Sequence, residues 1–410
     1  MPTGQKTYEY AVRDKGGKLV KGRVEANNQA AVANRLREMG LAAVSISEVG
    51  TGGLNTEINI PGFGKNKVSL KDLAIMARQL ATMIDSGLSL LRALSILADQ
   101  TESKPLAKVV GQVRNDVEGG TAFSTALQKH PNTFPPLMIN MVKAGEVGGF
   151  LDQVLVSVAN NFESEVKLRS TIKSAMTYPV VVFVVAILAV AGMLLFIVPV
   201  FAGMFSSLGG DLPLPTKILM GLSEILKVAA IPILVVLVAF SFWWGKHKND
   251  KSVRMRMDPM KLKLPVFGKL FQKIAVSRFT RNFGTMIHAG VPILQALDIV
   301  GETSGNLVIE KAAKAVQESV RRGESLSGPL SQHAVFPPMV VQMMAVGEDT
   351  GALDTMLGKI ADFYDAEVEA TTEQLTSLIE PLMIVVIGAI IGAMVIAMYM
   401  PIFGVFDLIS

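Results

Sequence analysis

Three long stretches of the chain carry no charge. The first runs from Ser174 to Gly210, with an apolar heart from Pro179 to Met204 (PVVVFVVAILAVAGMLLFIVPVFAGM). That heart exceeds the roughly 20 residues a helix needs to cross a bilayer. The second runs from Val228 to Gly245 and borrows the turns from Lys217 onward, which carry Glu224 and Lys227. The third runs from Pro381 to Phe406. Each predicts a membrane-spanning helix.

Between these stretches the period is helical. Ser69, followed three residues later by Asp72, predicts a capped helix start. Leu70, Leu73, Ala77, Leu80, Ala81 and Ile84 then share one face, and Ser86-Gly87 predicts its end. Further amphipathic stretches follow at 89–99, 105–118, 121–128, 135–144 and 150–172. The first fifty residues differ. Tyr8 to Val12 and Val20 to Val24 predict two strands around the turn Asp14-Lys15-Gly16-Gly17. Asn28 to Met39 predicts a helix stopped by Gly40, and Ala43 to Ile46 a third strand. Residues 50–67, rich in Gly and Asn, read as a linker.

The chain also contains itself twice. Residues 78–94 (RQLATMIDSGLSLLRAL) match 281–297 (RNFGTMIHAGVPILQAL) at an offset of 203. The register holds through Gly120/Gly323, Ser124/Ser327 and His130/His333. One deletion then shifts it to 202, for Phe134/Phe336, Gly145/Gly347, Glu146/Glu348, Glu165/Glu367, Pro179/Pro381 and Pro199/Pro401. The repeated unit is a helical domain followed by a span. Equivalent domains belong on one side of the membrane, so an extra span must bring the chain back, and the unrepeated second span does so.

Charge gives the same topology. Residues 245–263 carry seven Lys or Arg against two Asp, directly after the second span, and Lys167, Arg169 and Lys173 precede the first. By the positive-inside rule the large polar regions are cytoplasmic. Trp243 and Trp244 mark the inner boundary of the second span. Beside a span, the basic cluster reads as a topology signal and not as a nucleic-acid site. The polar start (MPTGQKTYEY) lacks the apolar core of a signal peptide.

The expectation is a mainly α membrane protein with two repeated cytoplasmic helical bundles, three transmembrane helices and a small N-terminal α/β module. Its parts are the module (1–49), linker (50–67), first cytoplasmic helical domain (68–173), first transmembrane helix (174–204) and external loop (205–216). There follow the second transmembrane helix (217–245), a basic cytoplasmic linker (246–272), the second cytoplasmic helical domain (273–378), the third transmembrane helix (379–406) and an external tail (407–410).

Composition sharpens this. Of 410 residues, 50% are hydrophobic and only 18% charged, with a net charge of +4. The absence of cysteine removes disulfides, thiolate metal sites and a cysteine nucleophile. The four histidines, His130, His247, His288 and His333, lack metal-ligand spacing. Gly62-Phe63-Gly64-Lys65 is not a phosphate-binding loop, because Asn59 and Asn66 stand where its first glycine and its hydroxyl belong. The acidic groups Glu163/Glu165 and Asp362/Asp365/Glu367/Glu369 predict solvated helix faces. The first and third spans hold no ionisable residue, which disfavours a transport pathway. No catalytic, cofactor-binding or metal-binding residues are expected.

One motif remains: Ala144 to Asp152 (AGEVGGFLD), paired with Val346 to Asp354 (VGEDTGALD). It predicts a helix–turn–helix joint. Gly145 and Gly347 suit a left-handed C-terminal position, and Gly149 and Gly351 allow a close turn. Glu146 and Glu348 would accept backbone N–H bonds near the start of the next helix, whose positive end favours Asp152 and Asp354. The joint is either a structural corner or a partner-binding site. In the third span, Gly388 and Gly392 have the spacing that lets helices approach closely in a membrane.

A β-α module, a twice-repeated helical domain and three spans resemble the PilC/GspF family, inner-membrane platform proteins of type IV pilus and type II secretion machines. The residues that carry the likeness are Gly87-Leu88-Ser89-Leu90-Leu91, Gly290-Val291-Pro292-Ile293-Leu294 and the two joints, and it extends from about Lys6 to Phe403. The resemblance implies a non-enzymatic platform without cofactors, in the bacterial inner membrane, its N-terminus cytoplasmic and its C-terminus external. Implied partners are a cytoplasmic assembly or retraction ATPase hexamer, pilin or pseudopilin subunits, other inner-membrane assembly proteins, the lipid bilayer and a second copy in a homodimer. A membrane transporter and a membrane-anchored signalling scaffold stand as alternatives.

Overall fold

A computed structural model describes residues 6–13, 19–26, 31–32, 34, 36, 43–48 and 68–409, apart from 208–212 and 249. The chain forms two compact units, 1–65 and 66–410.

In the first unit, β1 (Lys6–Arg13) lies between β2 (Leu19–Ala26) and β3 (Ala43–Glu48), antiparallel to both. Tyr8 faces Val24 on one side and Glu48 on the other, and the β1–β3 register shifts between Ala11 and Val12. Residues 31, 32, 34 and 36 are helical, with Val32 and Leu36 buried one turn apart. The predicted turn at 14–17 and the linker at 50–67 lie outside the described residues.

In the second unit helices follow the repeat. The first copy runs α1 (Leu70–Asp85), α2 (Leu90–Gln100), α3 (Lys104–Glu118), α4 (Phe123–Gln128), α5 (Pro136–Gly148) and α6 (Leu151–Gly192). A π-helical turn (Met193–Ile197) carries α6 into α7 (Val198–Ser207). The return span is α8 (Leu214–His247). The basic segment after it is largely helical, as α9 (Lys251–Lys263). The second copy runs α10 (Phe267–His288), α11 (Ile293–Thr303), α12 (Leu307–Arg321), α13 (Ser327–Ser331), α14 (Pro338–Thr350) and α15 (Leu353–Ile409). Thus α2, α3, α5 and α6 begin 203, 203, 202 and 202 residues before their counterparts, as the identities require.

The predicted cap forms in full. Ser69 Oγ accepts from Asp72 N, and Asp72 Oδ2 accepts from Ser69 N. Ser86 closes α1, and Gly87 takes φ +85. One apolar core runs through both bundles, anchored by Phe123, Phe134 and Met138 in one and by Phe279, Phe283 and Phe336 in the other. Phe279 stands 5.1 Å from Phe336, centroid to centroid. Because the bundles share a core, they sit at the same end of the spans.

Three helices are long and apolar enough to cross a membrane: Leu151–Met204, Leu214–His247 and Leu353–Pro401. Their most apolar windows bury almost nothing within the chain (0%, 0% and 17%), so that surface faces outward. No break separates bundle from span, since α6 and α15 pass through both.

Prolines make these spans costly, because each removes the N–H that would bond the carbonyl four residues before it. In hydrocarbon no water replaces it. Pro401 leaves the Ala397 carbonyl free, and the buried Thr216 Oγ1 of α8 donates to it at 2.5 Å. At Pro199 the π turn moves the vacancy by one residue. Val198 N–H bonds Met193 O, and Pro199 has no N–H to offer Leu194 O. The buried Ser223 Oγ of α8 fills that place at 2.6 Å. Pro179 likewise frees the Ala175 carbonyl, which accepts a longer bond, 3.4 Å, from Thr376 Oγ1 of α15. Thr216 and Ser223 are two turns apart on one face of α8, so the unrepeated span is bonded to the equivalent prolines of both copies.

Thr216→Val and Ser223→Ala should each cost about 0.6–1.7 kcal/mol in reversible unfolding from mixed micelles. Thr216→Val should cost less when Pro401→Ala has restored the missing N–H. Equal losses in both backgrounds would remove the proline from the explanation.

Candidate functional site

The duplicated joint is built from the end of α5 or α14 and the start of α6 or α15. Here the structure corrects the expected glycine roles. Gly145 and Gly347 are not left-handed; both lie inside their helices. The left-handed residues are Gly149 (φ +79) and Gly351 (φ +71), one turn later. Gly145 instead lets the next helix approach, since a Cβ there would lie 2.8 Å from Val154 Cγ2 and 3.2 Å from Leu151 Cα. At Gly347 it would meet Leu353 Cα and Met356 Cβ, each at 3.0 Å.

The glutamates also act on a different helix. Glu146 accepts from Phe123 N (2.6 Å), Ser124 N (3.2 Å) and Ser124 Oγ (2.6 Å), so it caps the preceding short helix α4 and not the next one. Glu348 accepts from Leu326 N at 2.8 and 3.0 Å, at the start of α13. Phe123 and Leu326 are equivalent positions, so the device is duplicated. A carboxylate beside free N–H groups and a positive helix end is well placed in either copy. Asp152 and Asp354 do lie in the first turn of the following helices. Asp354 Oδ2 is 3.0 Å from His288 Nδ1, and that contact holds its carboxyl below the usual range.

The acidic faces are not simply solvated. Arg78 grips Glu163 with two bonds of 2.7 Å and also donates to Asn160. In the second copy Arg281 donates to Asp362 (2.9 Å) and Asp365 (2.6 Å), and Ser277 Oγ donates to Asp365. Glu163 and Asp365 are repeat equivalents, so each bundle ties its first helix to its last through the same arginine. Lys273 bonds Glu367 at 2.7 Å. The Arg78 guanidinium holds the Glu163 carboxyl below its ordinary 4.5, and Glu163 raises Arg78.

Between the bundles lies a polar seam. Asn161 donates to Asn282 Oδ1 (3.0 Å) and Thr285 Oγ1 (3.3 Å). Arg278 pairs with Glu165 (2.7 Å), and Gln295 donates to Asn140 (2.8 Å). Two seam positions have exposed twins in the repeat. Arg278 corresponds to Ile75 and Asn161 to Phe363, and these are 48% and 46% exposed. At these two positions polar pairing is used inside the chain, while the twins are large exposed apolar side chains.

Gly388 and Gly392 meet no other helix of the chain, for a Cβ on either would find nothing within 4 Å. Among the described residues no three of His, Asp and Glu come together as a metal site would require.

Glu146→Ala should destabilise the full chain by about 1–3 kcal/mol, read by thermal unfolding in detergent, because it leaves two N–H groups unmet. Gly145→Ala should also destabilise it. The Arg78–Glu163 pair contributes stability at neutral pH, which is lost as pH falls below 4.5. Both side chains are more than a third exposed, so the effect is small. Arg78→Gln should flatten the decline in melting temperature between neutral pH and about pH 3. An unchanged acid limb would sink the pair's role.

The family model for type II secretion system protein F matches residues 76–199 and again 279–401, the two copies of the repeat. The model for the N-terminal domain of that protein matches residues 1–47. A type IV pilus assembly protein PilC from Thermus thermophilus is 46% identical over 404 residues, 98% of this chain and 99% of that one. A PilC from Myxococcus xanthus is 43% identical, over 96% and 94%. A type II secretion system protein F from Vibrio cholerae is 34% identical, over 98% and 99%. The chain belongs to the type II secretion system protein F family, which also takes in the PilC proteins of type IV pilus assembly.

Proposed function

We propose that this chain is the inner-membrane platform of a type IV pilus or type II secretion assembly machine. In that role it couples a cytoplasmic hexameric ATPase to the insertion or removal of pilin subunits at the filament base. It works through contacts and is not itself an enzyme. The bundles at 68–173 and 273–378 are cytoplasmic, and so is the N-terminus; the loop near 205–216 and the C-terminus are external.

The observation that carries the reading is the unbroken passage of the last helix of each bundle into its span. Leu151–Ser207 and Leu353–Ile409 are equal in length and, at 1.5 Å per residue, each is about 85 Å long. A push or turn on a bundle reaches the bilayer along such a rod without crossing a loop. Relatives named for pilus assembly and for secretion support the setting.

A second copy is the further partner. Ile75 and Phe363 occupy the twins of seam positions, so an apolar contact between copies would extend the arrangement already made inside the chain. Phe363→Glu should lower the dimer fraction of the full chain in detergent while leaving its melting temperature unchanged. A photo-crosslinker at the exposed Leu91 or Val147 should capture the ATPase in cells. No capture from any exposed position in 70–172 or its repeat would count decisively against coupling through the bundles.

A further inference from the structure

The second span ends in Trp243 and Trp244, and charge begins at Lys246. Indoles favour the headgroup layer, so the segment that follows runs at the depth of lipid phosphates. There α9 folds under the span and packs on α12. A pocket of about 560 Å³ opens at this place, between the end of α8, α9 and the turn after α11. Trp244, Lys248, Arg254, Asp258, Lys261 and Glu302 line it. This segment has no counterpart in the repeat.

Its charges are unevenly committed. Asp258 is 1% exposed and fully engaged: it accepts from Lys261 Nζ and from Leu307 N, each at 3.0 Å. Arg254 is ion-paired with two carboxylates but hydrogen-bonded to neither. Its Nε lies 3.5 Å from Asp258 Oδ2 and its Nη2 lies 3.6 Å from Glu310 Oε2. Nη2 is buried and donates to nothing. A buried guanidinium donor without an acceptor is costly, and such a group commonly marks a missing ion or ligand. Lys248 stands exposed at the rim with no carboxylate partner among the described residues. Glu302, on the opposite wall, is exposed and has no cation partner among the described residues.

We propose that this pocket holds the phosphodiester of a membrane phospholipid, with Arg254 and Lys248 as its donors and Trp244 beside its glycerol. A guanidinium matches phosphate oxygens in a two-bond fork, and a lysine adds a point charge. The acyl chains then lie along the outward apolar face of α8, where Val236, Leu237 and Phe240 are exposed. A basic pocket where span meets bundle is the expected form of a phospholipid headgroup site. The lipid fixes α9, which links the return span to the second bundle. The proposal needs the membrane-spanning reading of α8 and does not depend on the assembly role.

Native mass spectrometry of the full chain, delipidated and titrated with phosphatidylglycerol, tests it. Wild type should retain lipid. Arg254→Gln and Lys248→Gln should each weaken retention about ten-fold or more. Glu302→Gln, which removes the carboxylate without a cation partner, should strengthen it, and Lys108→Gln on the far bundle should change nothing. Lys248 and Glu302 are exposed, so those variants report even where Arg254→Gln fails to fold. Unchanged retention in Lys248→Gln and Glu302→Gln would overturn the site. Full displacement of the lipid by millimolar inorganic phosphate would assign the pocket to a free anion and overturn the lipid.

Discussion

In hydrocarbon a carbonyl without a donor has no second chance. This constraint organises the membrane half of the protein. Prolines interrupt the helical ladders of the first and third spans, and the carbonyls freed by Pro179, Pro199 and Pro401 each take a hydroxyl from another helix. The two shortest bonds come from one face of α8, so the span outside the repeat is bonded to both repeated spans. Apolar packing contributes little here, because lipid competes for the same surfaces. What fixes α8 between its neighbours is direction, and directional bonds supply it.

Duplication explains the helical bundles in the same way. Each bundle must tie its first helix to its last and cap its short fourth helix. Arg78–Glu163 and Arg281–Asp365 do the first; Glu146 and Glu348 do the second. The copies diverge where they meet. Asn161, Arg278 and Gln295 make a hydrogen-bonded seam, and their twins, free of that duty, have become Phe363, Ile75 and Arg92. Some of the internal difference therefore falls where one bundle touches the other.

Much of this was legible in the residues. The spans, the repeat offsets, the Ser69 cap and the N-terminal strands all follow from local period and spacing. The joint was legible only in kind. Two glycines four residues apart both suit a helix end, and only the three-dimensional approach of Val154 shows that Gly145 answers to packing and Gly149 to backbone. Glu146 has a helix start on each side in sequence, and nothing local says which N-terminus it faces. The acidic faces were misjudged because their cations sit more than eighty residues away. Arg78 and Arg281, identical in both copies, were the available clue. The hydroxyl bonds to Leu194 and Ala397 had no signal in Ser223 or Thr216 alone; the signal lay in the prolines, which require a donor from elsewhere.

The same logic bears on motion. A helix that runs unbroken from bundle to bilayer transmits displacement only if its membrane end is held by something that moves with it. Gly388 and Gly392 lie on a face of the third span that meets no other helix, while the bond from Thr216 to Ala397 holds it farther along. The first span is held at Leu194 through Ser223. Both attachments belong to α8, whose other end enters the basic helix α9, packed in turn on the second bundle. Each bundle thus reaches the clamp along its own rod, and the second bundle reaches it a second time through α9. A displacement of one bundle relative to the other must load those hydroxyl–carbonyl bonds before it separates the spans, which makes the proline sites the points where bundle movement and membrane arrangement meet.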